Sequence, residues 1–515
     1  MTSLKSLLAA STATMAMLSA ANAQQPDEDT LVVGLSTDLA TFDPATISSR
    51  DNSNVAKHIF GTLFDIEGDG TLVPNLATEF EVSEDGTAYV YTLREGLTCH
   101  DGEALTAEDV AYTFNRAADP ENAFTGNVPG FIFSSLGFED AEALDELRVQ
   151  INIESKNPIG FGLIPEVMIH CKDSYEDMTL DEAVSNPVGS GPYRLAEWNR
   201  GSSVVLEKVG DRGNFDTIVW RIIPEASTRS AELIAGNVDI ITNVSPDQID
   251  VVDNSENASV KPVQGTRRMY VGFNQSHGDK PGGEAIQDPM VRRALQHAVN
   301  VPAICEQLLN FECTRMKSIV NPPNGNPNLD PYPYDPETAE QMLDEAGWPR
   351  GEDGTRFSIA FQAGQGRYLN DVNVVQAIAQ YLEDVGLDVD LQIMDWSSVY
   401  IPLIRERDAG PLYFIGSGGA LWSPLYDMTD LATVESGTNY THWADPRWFS
   451  RWDDIANAET EEERREIVNE MLRVFHEDGP WLHLYFQPDF YGVSDRLAWE
   501  PRPDEKVYLF DASLK

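Results

Sequence analysis

The chain has 515 residues and is 42% hydrophobic, which is enough for two or three lobes with sizeable cores. Its 84 acidic and 36 basic side chains give a formal net charge of -48. This charge disfavours nucleic acid and anionic membrane surfaces as partners, because both would repel the chain.

The first residues have the pattern of an export signal. Lys5 supplies a positive start, an apolar run extends from Leu7 to Ala20, and Ala21-Asn22-Ala23 forms an A-x-A cleavage site. A buried N-terminal helix is the alternative, but Gln24-Gln25-Pro26 breaks the chain after the cleavage site. We expect residues 1–23 to be a cleaved signal peptide and the mature protein to be soluble and periplasmic. No later apolar run approaches the ~20 residues of a membrane span.

The chain has four cysteines, which are Cys99, Cys171, Cys305 and Cys313. In an oxidising compartment they could form two disulfides, and the sequence alone allows three pairings. On one continuous helix, Cys305 and Cys313 would lie ~12 Å apart, too far to bridge. They can pair only if the helix ends near Asn310, and Cys99 with Cys171 is then the remaining pair.

Alternating and helical patterns predict the elements in chain order. The first half contains the strand "LVVGLS", a helix from about Asn54 to Leu63, the hairpin "FEVSEDGTAYVYTLR", the strands "RVQINI", "SSVVLEKV" and "TIVWRIIP", the helix "STRSAELIAG" and the strand "VDIIT". The second half contains the helices "DPMVRRALQHAVNVPAICEQLL" and "YDPETAEQMLDEAGW", the unit "RFSIAFQ", "NVVQAIAQYLEDVG" and "LDVDLQIMDW", the helix "TEEERREIVNEMLRVFHEDG" and the strand "WLHLYFQPDFYGVS". The pattern indicates two α/β lobes, with a β-rich insertion between about 61 and 186.

Cys99, His100 and Asp101 stand side by side and raise the question of a metal or nucleophile site. Asp101-Gly102 is a turn pair, and Thr106 with Asp109 approximates a capping box for the helix that follows. A chemical site would need further ligands or partners at set spacings, and none is local. We therefore interpret this segment as a structural corner between a strand and a helix.

The same segment, "LREGLTCHDGEALTAEDVAYTF", closely resembles a corner of the bacterial extracellular solute-binding proteins of family 5, the dipeptide, oligopeptide and nickel type. In that family a similar "R-x-G-x-x-F-H-D-G" run precedes "T-A-E-D-V". Further stretches match in the same order, namely "NPVGSGPYRLAEW", "PEASTRSAELIAGNVDII", "MYVGFNQ" with "DPMVRRALQHAVN", and "YDPETAEQMLDEAGW". The resemblance covers essentially the whole mature chain.

The resemblance implies an α/β periplasmic-binding-protein fold, type II-like, with two lobes joined by two crossing strands. An extra β-rich domain would be inserted in the first lobe. The expected division is 24–60, 187–269 and 484–515 for lobe I, 61–186 for the inserted domain and 270–483 for lobe II. The hinges would fall near Met269 to Asn274 and near Leu482 to Gln487.

The resemblance also implies a function in import. The lobes would close over a peptide or peptide-like solute, and the closed form would dock on an ABC permease driven by a separate ATPase. The chain has no GxxxxGK[S/T] motif and so would not supply that ATPase. We expect a monomer that is not an enzyme and has no cofactor and no metal site.

Several candidate ligand contacts follow from matches to family motifs. Arg367 matches an arginine that grips a ligand carboxylate in dipeptide binders, and its fork suits that contact; a surface arginine is the alternative. Asp395-Trp396, followed by Tyr400, matches an "E-W-x-x-Y" element near the pocket, although Trp396 could belong to the core. Asn439 is a further candidate ligand contact.

The segment "FIGSGGALWSPLYDMTD" departs from the family pattern. Peptide binders of the family carry an aspartate here that pairs with the ligand's α-ammonium, and it is absent unless Asp427 or Asp430 replaces it. An unpaired buried ammonium would be costly, which weakens the ordinary dipeptide interpretation. Gly418 and Gly419, beside Trp422 and Tyr426, would suit the close approach of a flat or ring-shaped ligand.

Three further tryptophans, Trp443, Trp448 and Trp452, add aromatic density, and we expect the last two to be core. Oligosaccharides and opine-like amino-acid conjugates therefore remain alternatives to peptides. An exported hydrolase is a rival from another class, but no GxSxG or comparable motif supports it. A soluble sensor partner for chemotaxis would use the same fold and differ in its docking surface.

Overall fold

The computed structural model describes residues 27–419 and 423–515. The predicted signal peptide, residues 1–23, lies outside the described residues, as does Trp422. The strands are β1 Thr30–Leu35, β2 Phe64–Ile66, β3 Leu72–Pro74, β4 Ala77–Val82, β5 Ala88–Leu93, β6 Phe138–Ala143, β7 Arg148–Ile153, β8 Tyr193–Asn199, β9 Ser203–Lys208, β10 Thr217–Ile222, β11 Ile240–Ile241, β12 Ala258–Phe273, β13 Phe357–Gln365, β14 Leu387–Asp395, β15 Leu412–Ser417, β16 Trp481–Ser494, β17 Leu497–Ala498 and β18 Ser513–Leu514.

Helices connect these strands. They are α1 Arg50–Ile59, α2 Ala107–Ala118, α3 Ser134–Leu136, α4 Gly160–Leu163, α5 Lys172–Tyr175, α6 Leu180–Ser185, α7 Ala226–Ile234, α8 Pro246–Asp253, α9 Pro289–Ala298, α10 Val301–Leu308, α11 Pro336–Glu345, α12 Asp371–Asp384, α13 Ile401–Arg405, α14 Pro424–Met428, α15 Pro446–Phe449, α16 Trp452–Asn457 and α17 Glu461–Asp478. Among the described helices, none combines the length and the apolar character needed to cross a bilayer.

One large mixed sheet runs through both lobes. In the described chain its order is β14-β13-β15-β12-β16-β11-β1-β10-β9-β8. We use lobe I for the side with β11, β1, β10, β9 and β8, and lobe II for the side with β15, β13 and β14. Within each lobe the inner strands are parallel and joined through helices, because parallel neighbours need a long crossover.

The long strands β12 and β16 pair antiparallel and connect the two lobes. Their register shifts between Gln264 and Arg268, opposite Phe486 and Pro488. Pro488 has no N–H to give to the ladder, and strands tolerate proline mainly at such irregular points. Beyond the shift, β12 also pairs with β15, so the change of partner from lobe I to lobe II occurs at this point.

A separate four-stranded antiparallel sheet, in the order β4-β5-β7-β6, lies between β1 and β8 in the chain. The predicted hairpin at Asp85-Gly86 is confirmed: β4 and β5 pair, and Gly86 has a φ of 75°, which suits glycine. The domain boundaries themselves stay a prediction.

The corner at His100 is structural, as the sequence predicts. Thr106 caps α2, and a complete capping box with Asp109 is present. One ring nitrogen of His100 lies 2.8 Å from the carbonyl oxygen of Gly191, which ties the corner to lobe I. The neighbouring Cys99 is bonded to Cys171.

Two helices differ from the predicted spans. The single helix predicted over "DPMVRRALQHAVNVPAICEQLL" is two helices, α9 and α10. The break occurs because the Asn300 side chain accepts a hydrogen bond from Ala303 N and starts a new helix, with Pro302 in its first turn. Similarly, α1 begins at Arg50 rather than near Asn54, because Ser49 caps it.

The chain turns after α10, where Asn310 adopts a φ of 52°. Cys305 forms a disulfide with Cys313 across this turn.

Candidate ligand-binding site

The candidate site lies at the carboxyl ends of the parallel strands, beside the crossing point of β12 and β16. In lobe II, β13, β14 and β15 end at Gln365, Asp395 and Ser417. In lobe I, β1 and β10 end at Leu35 and Ile222. Open α/β sheets bind ligands in the crevice outside such ends. The loops that follow these strands are therefore the candidate contacts.

Arg367 is held in a fixed loop after β13. Oδ2 of the buried Asp371 accepts hydrogen bonds from the backbone N–H groups of Gly366, Arg367 and Tyr368, at 2.8, 3.0 and 3.1 Å. The Arg367 side chain is exposed, and it makes no hydrogen bond or ion pair with any residue in the described ranges. Desolvation by the surrounding protein, together with the charge of Arg267, lowers its pKa. The guanidinium N–H groups of Arg367 are therefore available to an anionic group of a ligand.

A second arginine beside it is already paired. Arg267 donates to both carboxylate oxygens of Glu505, at 2.8 and 2.7 Å, and so connects the crossing strand to the C-terminal segment of lobe I. Burial alone would raise the pKa of Glu505, but the charge and hydrogen bonds of Arg267 outweigh it and lower that pKa to about 2. This pair is therefore fully ionised at neutral pH.

Asp489 lies on β16 next to this pair. Its side chain is 9% exposed, and its Oδ2 atom has no hydrogen-bond partner within the described residues. Burial, and then the charge of Glu505, raise its pKa well above the ordinary value, against the opposing charges of Arg267 and Arg367. This environment therefore favours the protonated form of the carboxyl group.

Aromatic rings line the lobe II wall. The guanidinium carbons of Arg267 and Arg367 lie 5.9 and 5.4 Å from the ring centre of Tyr368. Trp396 packs edge-on against the same ring at 5.2 Å and is half-buried. Trp396 therefore supports Tyr368, which stands between it and the arginines.

The lobe I rim carries opposite charges at the start of α1. Arg50 is exposed and has no ion-pair partner in the part of the chain that the structure describes. Desolvation of its guanidinium by the surrounding protein would lower its pKa, but the carboxylates of Glu505 and Glu166 outweigh this and raise it. Asp51 accepts a hydrogen bond from Thr37, and burial raises its pKa.

Tyr426 and the glycines come from the segment after β15. Tyr426 packs against Phe131 of the inserted region, with ring centres 5.8 Å apart, and lines a cavity that Arg50 also lines. Gly419 lines the same cavity, and a Cβ there would lie 2.1 Å from Nδ2 of Asn321. The carbonyl oxygen of Gly418 accepts a hydrogen bond from the buried Arg268. Tyr426 and Gly419 thus stay candidates, whereas Gly418 has a structural contact.

Asp427 and Asp430 are not placed to receive a ligand ammonium. Asp427 is fully buried, and its Oδ2 accepts from the backbone N and the side-chain amide of Asn321, at 2.8 and 3.0 Å. Asp430 Oδ2 accepts from Nη2 of Arg268 at 3.1 Å and from Ser417. Both carboxylates thus satisfy buried polar groups inside lobe II. The structure does not leave Asp427 open to a ligand, and its assignment as a ligand contact stays a prediction.

Tyr400 and Asn439 are also core residues. Tyr400 is 0% exposed and donates to the carbonyl oxygen of Phe414 at 2.7 Å, beneath the sheet. The amide of buried Asn439 donates to Trp443 O at 2.9 Å and its oxygen accepts from Thr441 at 2.9 Å. Neither side chain is accessible in this structure, and their assignment as ligand contacts stays a prediction. Trp443 and Trp448 are likewise buried.

The sequence analysis did not single out four other charged residues that lie beside the candidate site. Arg267, Asp489, Glu505 and Arg50 match no motif that we recognised. The sequence did offer one signal, since Asp489 is the one acidic residue in the largely apolar strand β16. A charge in such a run is costly without a partner or a function.

Known proteins resemble this chain along its whole length. The glutathione-binding protein GsiB of Pectobacterium atrosepticum is 25% identical over 506 residues, which cover 94% of each chain. The oligopeptide-binding protein AppA of Bacillus subtilis, solved with a nonapeptide, shares 21% identity with a TM-score of 0.77, and the match covers 96% of this chain and 100% of that one. The binding protein AgaA of A. tumefaciens R10, solved with agropinic acid, shares 22% identity with a TM-score of 0.77, over 94% and 99% of the two chains.

The solved structures confirm the predicted two-lobed α/β fold. The family model described as bacterial extracellular solute-binding proteins, family 5 middle, matches residues 71–439. This match spans the inserted sheet, the first crossing strand and most of lobe II. The chain belongs to the family 5 bacterial extracellular solute-binding proteins.

Proposed function

We propose that this chain is the periplasmic solute-binding component of an ABC importer and that it captures a peptide or peptide-like solute. The observation that carries the proposal is the unpaired guanidinium of Arg367 at the mouth of the cleft, in a chain of this family. It suits the terminal carboxylate of a peptide. The relatives described as glutathione-binding and oligopeptide-binding support the same class of solute.

In this proposal the ligand contacts are Arg367, Tyr426, Gly419 and Trp422, with Trp396 supporting them. Residues 1–23 are removed on export, and the mature protein acts as a monomer without catalysing a reaction. Closure over the solute buries it and creates the surface that the permease recognises. The contacts between Arg267 and Glu505 and between Phe131 and Tyr426 already bring the walls of the cleft together.

Amino-acid conjugates of the opine type are a second candidate. The likeness to a protein solved with agropinic acid favours them, as does the absence of the family's usual aspartate after β15. Such a solute would still offer a carboxylate to Arg367.

The test is mass spectrometry of small molecules released when the protein, purified from its native periplasm, is unfolded. A closed cleft retains a tightly bound solute, so we expect a peptide-like mass in near-stoichiometric amount. A sugar without an amino-acid part would contradict the proposal. An empty protein is then screened by thermal shift with peptides and opines, and the absence of any stabilisation would also contradict it.

A further inference from the structure

A cavity beside the cleft is lined by three separate parts of the chain. Arg50 comes from α1, Phe131 and Glu166 come from the inserted region, and Tyr426 comes from lobe II. We propose that this cavity is a subsite in which Arg50 binds an acidic side chain of the solute. The inference rests on the proposed function and narrows it to peptide-like solutes that carry a second anionic group besides a terminal carboxylate.

The cavity can be reached by a solute that lies between the lobes. Its outer part borders Gly419 and Tyr426 of lobe II, its inner part lies between α1 and the inserted region, and Arg50 lines both. The outer and inner parts have volumes of about 60 and 70 Å³. Because one water molecule needs roughly 10–15 Å³ by this measure, each part holds several non-hydrogen atoms. The side chain of a glutamate or an aspartate therefore fits beside Arg50.

Arg50 differs from the other charged side chains of the cavity, because those already have partners. The existing pairs are Lys57 with Asp65 at 2.6 Å, Lys506 with Glu166 at 2.8 Å, Arg502 with Asp504 at 2.7 Å and Arg502 with Glu67 at 4.0 Å. Arg50 makes no ion pair and no side-chain hydrogen bond within residues 27–419 and 423–515. Its guanidinium N–H groups are therefore open to the carboxylate of a ligand.

The walls of the cavity favour selection on charge. Ile66, Ile132 and Leu163 are buried apolar residues that line the outer part with Arg50. Apolar surroundings lower the local dielectric constant and strengthen the attraction between a guanidinium and a carboxylate. The exposed amide of Asn127 lines both parts and can donate a second hydrogen bond. A carboxylate should therefore bind here more tightly than a carboxamide of the same shape.

The local structure of α1 does not account for an arginine at this position. Arg50 is the first residue of α1, and the helix is already capped by Ser49, whose side chain accepts a hydrogen bond from Asn52 N at 3.3 Å. A cation at the start of a helix faces the positive end of the helix dipole, which is unfavourable. A contact with an anionic ligand group would offset this cost.

The experiment is calorimetric titration with six tripeptides. Three are trialanine with glutamate at the first, second or third position, and three carry glutamine there instead. We expect the wild type to bind the glutamate peptide about 10-fold or more tightly than its glutamine counterpart at one position at least, as for a close charge pair. Arg50→Gln should remove this preference while changing affinity for the glutamine peptide by less than about threefold. Arg465→Gln, which alters an exposed arginine on α17, is the control and should retain the preference.

The outcomes separate the inference from the proposed function. A wild type that binds glutamate and glutamine peptides equally, or an Arg50→Gln protein that keeps the preference, would overturn the inference alone, because peptide binding itself persists. A wild type that binds none of the six peptides would overturn the assignment to peptides, and the inference with it.

If Arg50→Gln does not fold, Arg50→Lys decides, since lysine keeps the charge but lacks the planar pair of donors. A preference for glutamate that falls at least about threefold in Arg50→Lys supports the contact, and an unchanged preference overturns it.

Discussion

At the scale of single residues, the unpaired guanidinium of Arg367 is the contact whose loss should weaken binding most. Replacing it by glutamine removes the bidentate donor for a ligand carboxylate, so affinity for a carboxylate-bearing peptide should fall by roughly 2–5 kcal/mol. Because the side chain is exposed, unfolding midpoints should stay unchanged. Calorimetry with a peptide acid and its C-terminal amide measures the effect, since the amide should bind both proteins alike.

Arg473→Gln is the matched control, because Arg473 is an exposed arginine on α17 away from the cleft. Equal affinity of the wild type and Arg367→Gln for the peptide acid would show that the ligand does not reach this loop.

His58 is the residue through which pH should act on stability. Leu509 N donates to Nε2 at 3.2 Å, so the other ring nitrogen donates to Asn54 O at 2.8 Å, and this neutral form is buried. Burial lowers the pKa of His58 to about 4 from 6.5. The unfolded chain then binds the proton more strongly, so the contribution of His58 to the unfolding free energy should fall by roughly 3 kcal/mol as pH drops from 6.5 to 4.

Urea unfolding at pH 7 and pH 4.5 tests this for wild type and His58→Gln. The variant should be less stable at pH 7, because glutamine cannot make both hydrogen bonds of the His58 ring with the same geometry. Its stability should fall less on acidification, because glutamine does not bind a proton. The same decrease in both proteins would assign the acid sensitivity to other groups.

At the scale of elements, the crossing of β12 and β16 depends on Gly265. A methyl group at this position would overlap the carbonyl oxygen of Gln487, which is backbone and cannot rotate away. Gly265→Ala should therefore lower the unfolding free energy by about 1–3 kcal/mol. Gly437→Ala, where a Cβ meets no atom within 4 Å, is the control and should change it little. Urea denaturation measures both, and equal midpoints would contradict the close approach.

Elements whose signals are local were predictable. The turn at Asp85-Gly86 and the cap at Thr106 depend on residues within four positions of each other. The local sequence is therefore enough to predict both. The break between α9 and α10 was missed because the apolar pattern continues through it, and only the capping by Asn300 shows where the helix ends.

At the scale of the whole molecule, the excess of acidic residues should make stability depend on salt. With 84 acidic and 36 basic side chains, the folded chain repels itself. Raising NaCl from 10 mM to 0.5 M shortens the screening length from about 30 Å to a few Å, so the melting temperature should rise by several degrees. Scanning calorimetry measures this, with sucrose at equal osmolality as the control. A constant or falling melting temperature would show that surface repulsion is not a major term.

The sequence by itself determined the family, the two-lobed architecture, and most strands and helices, because motifs and hydrophobic periods act over short stretches of chain. Only the tertiary structure decided which charges remain unpaired. The side chains of Arg267 and Glu505 form an ion pair although 238 positions separate them in the sequence. Arg268 and Asp430 pair across 162 positions. Such pairing depends on which surfaces meet after folding, and among the described residues it leaves the exposed Arg367 side chain without an ion-pair partner.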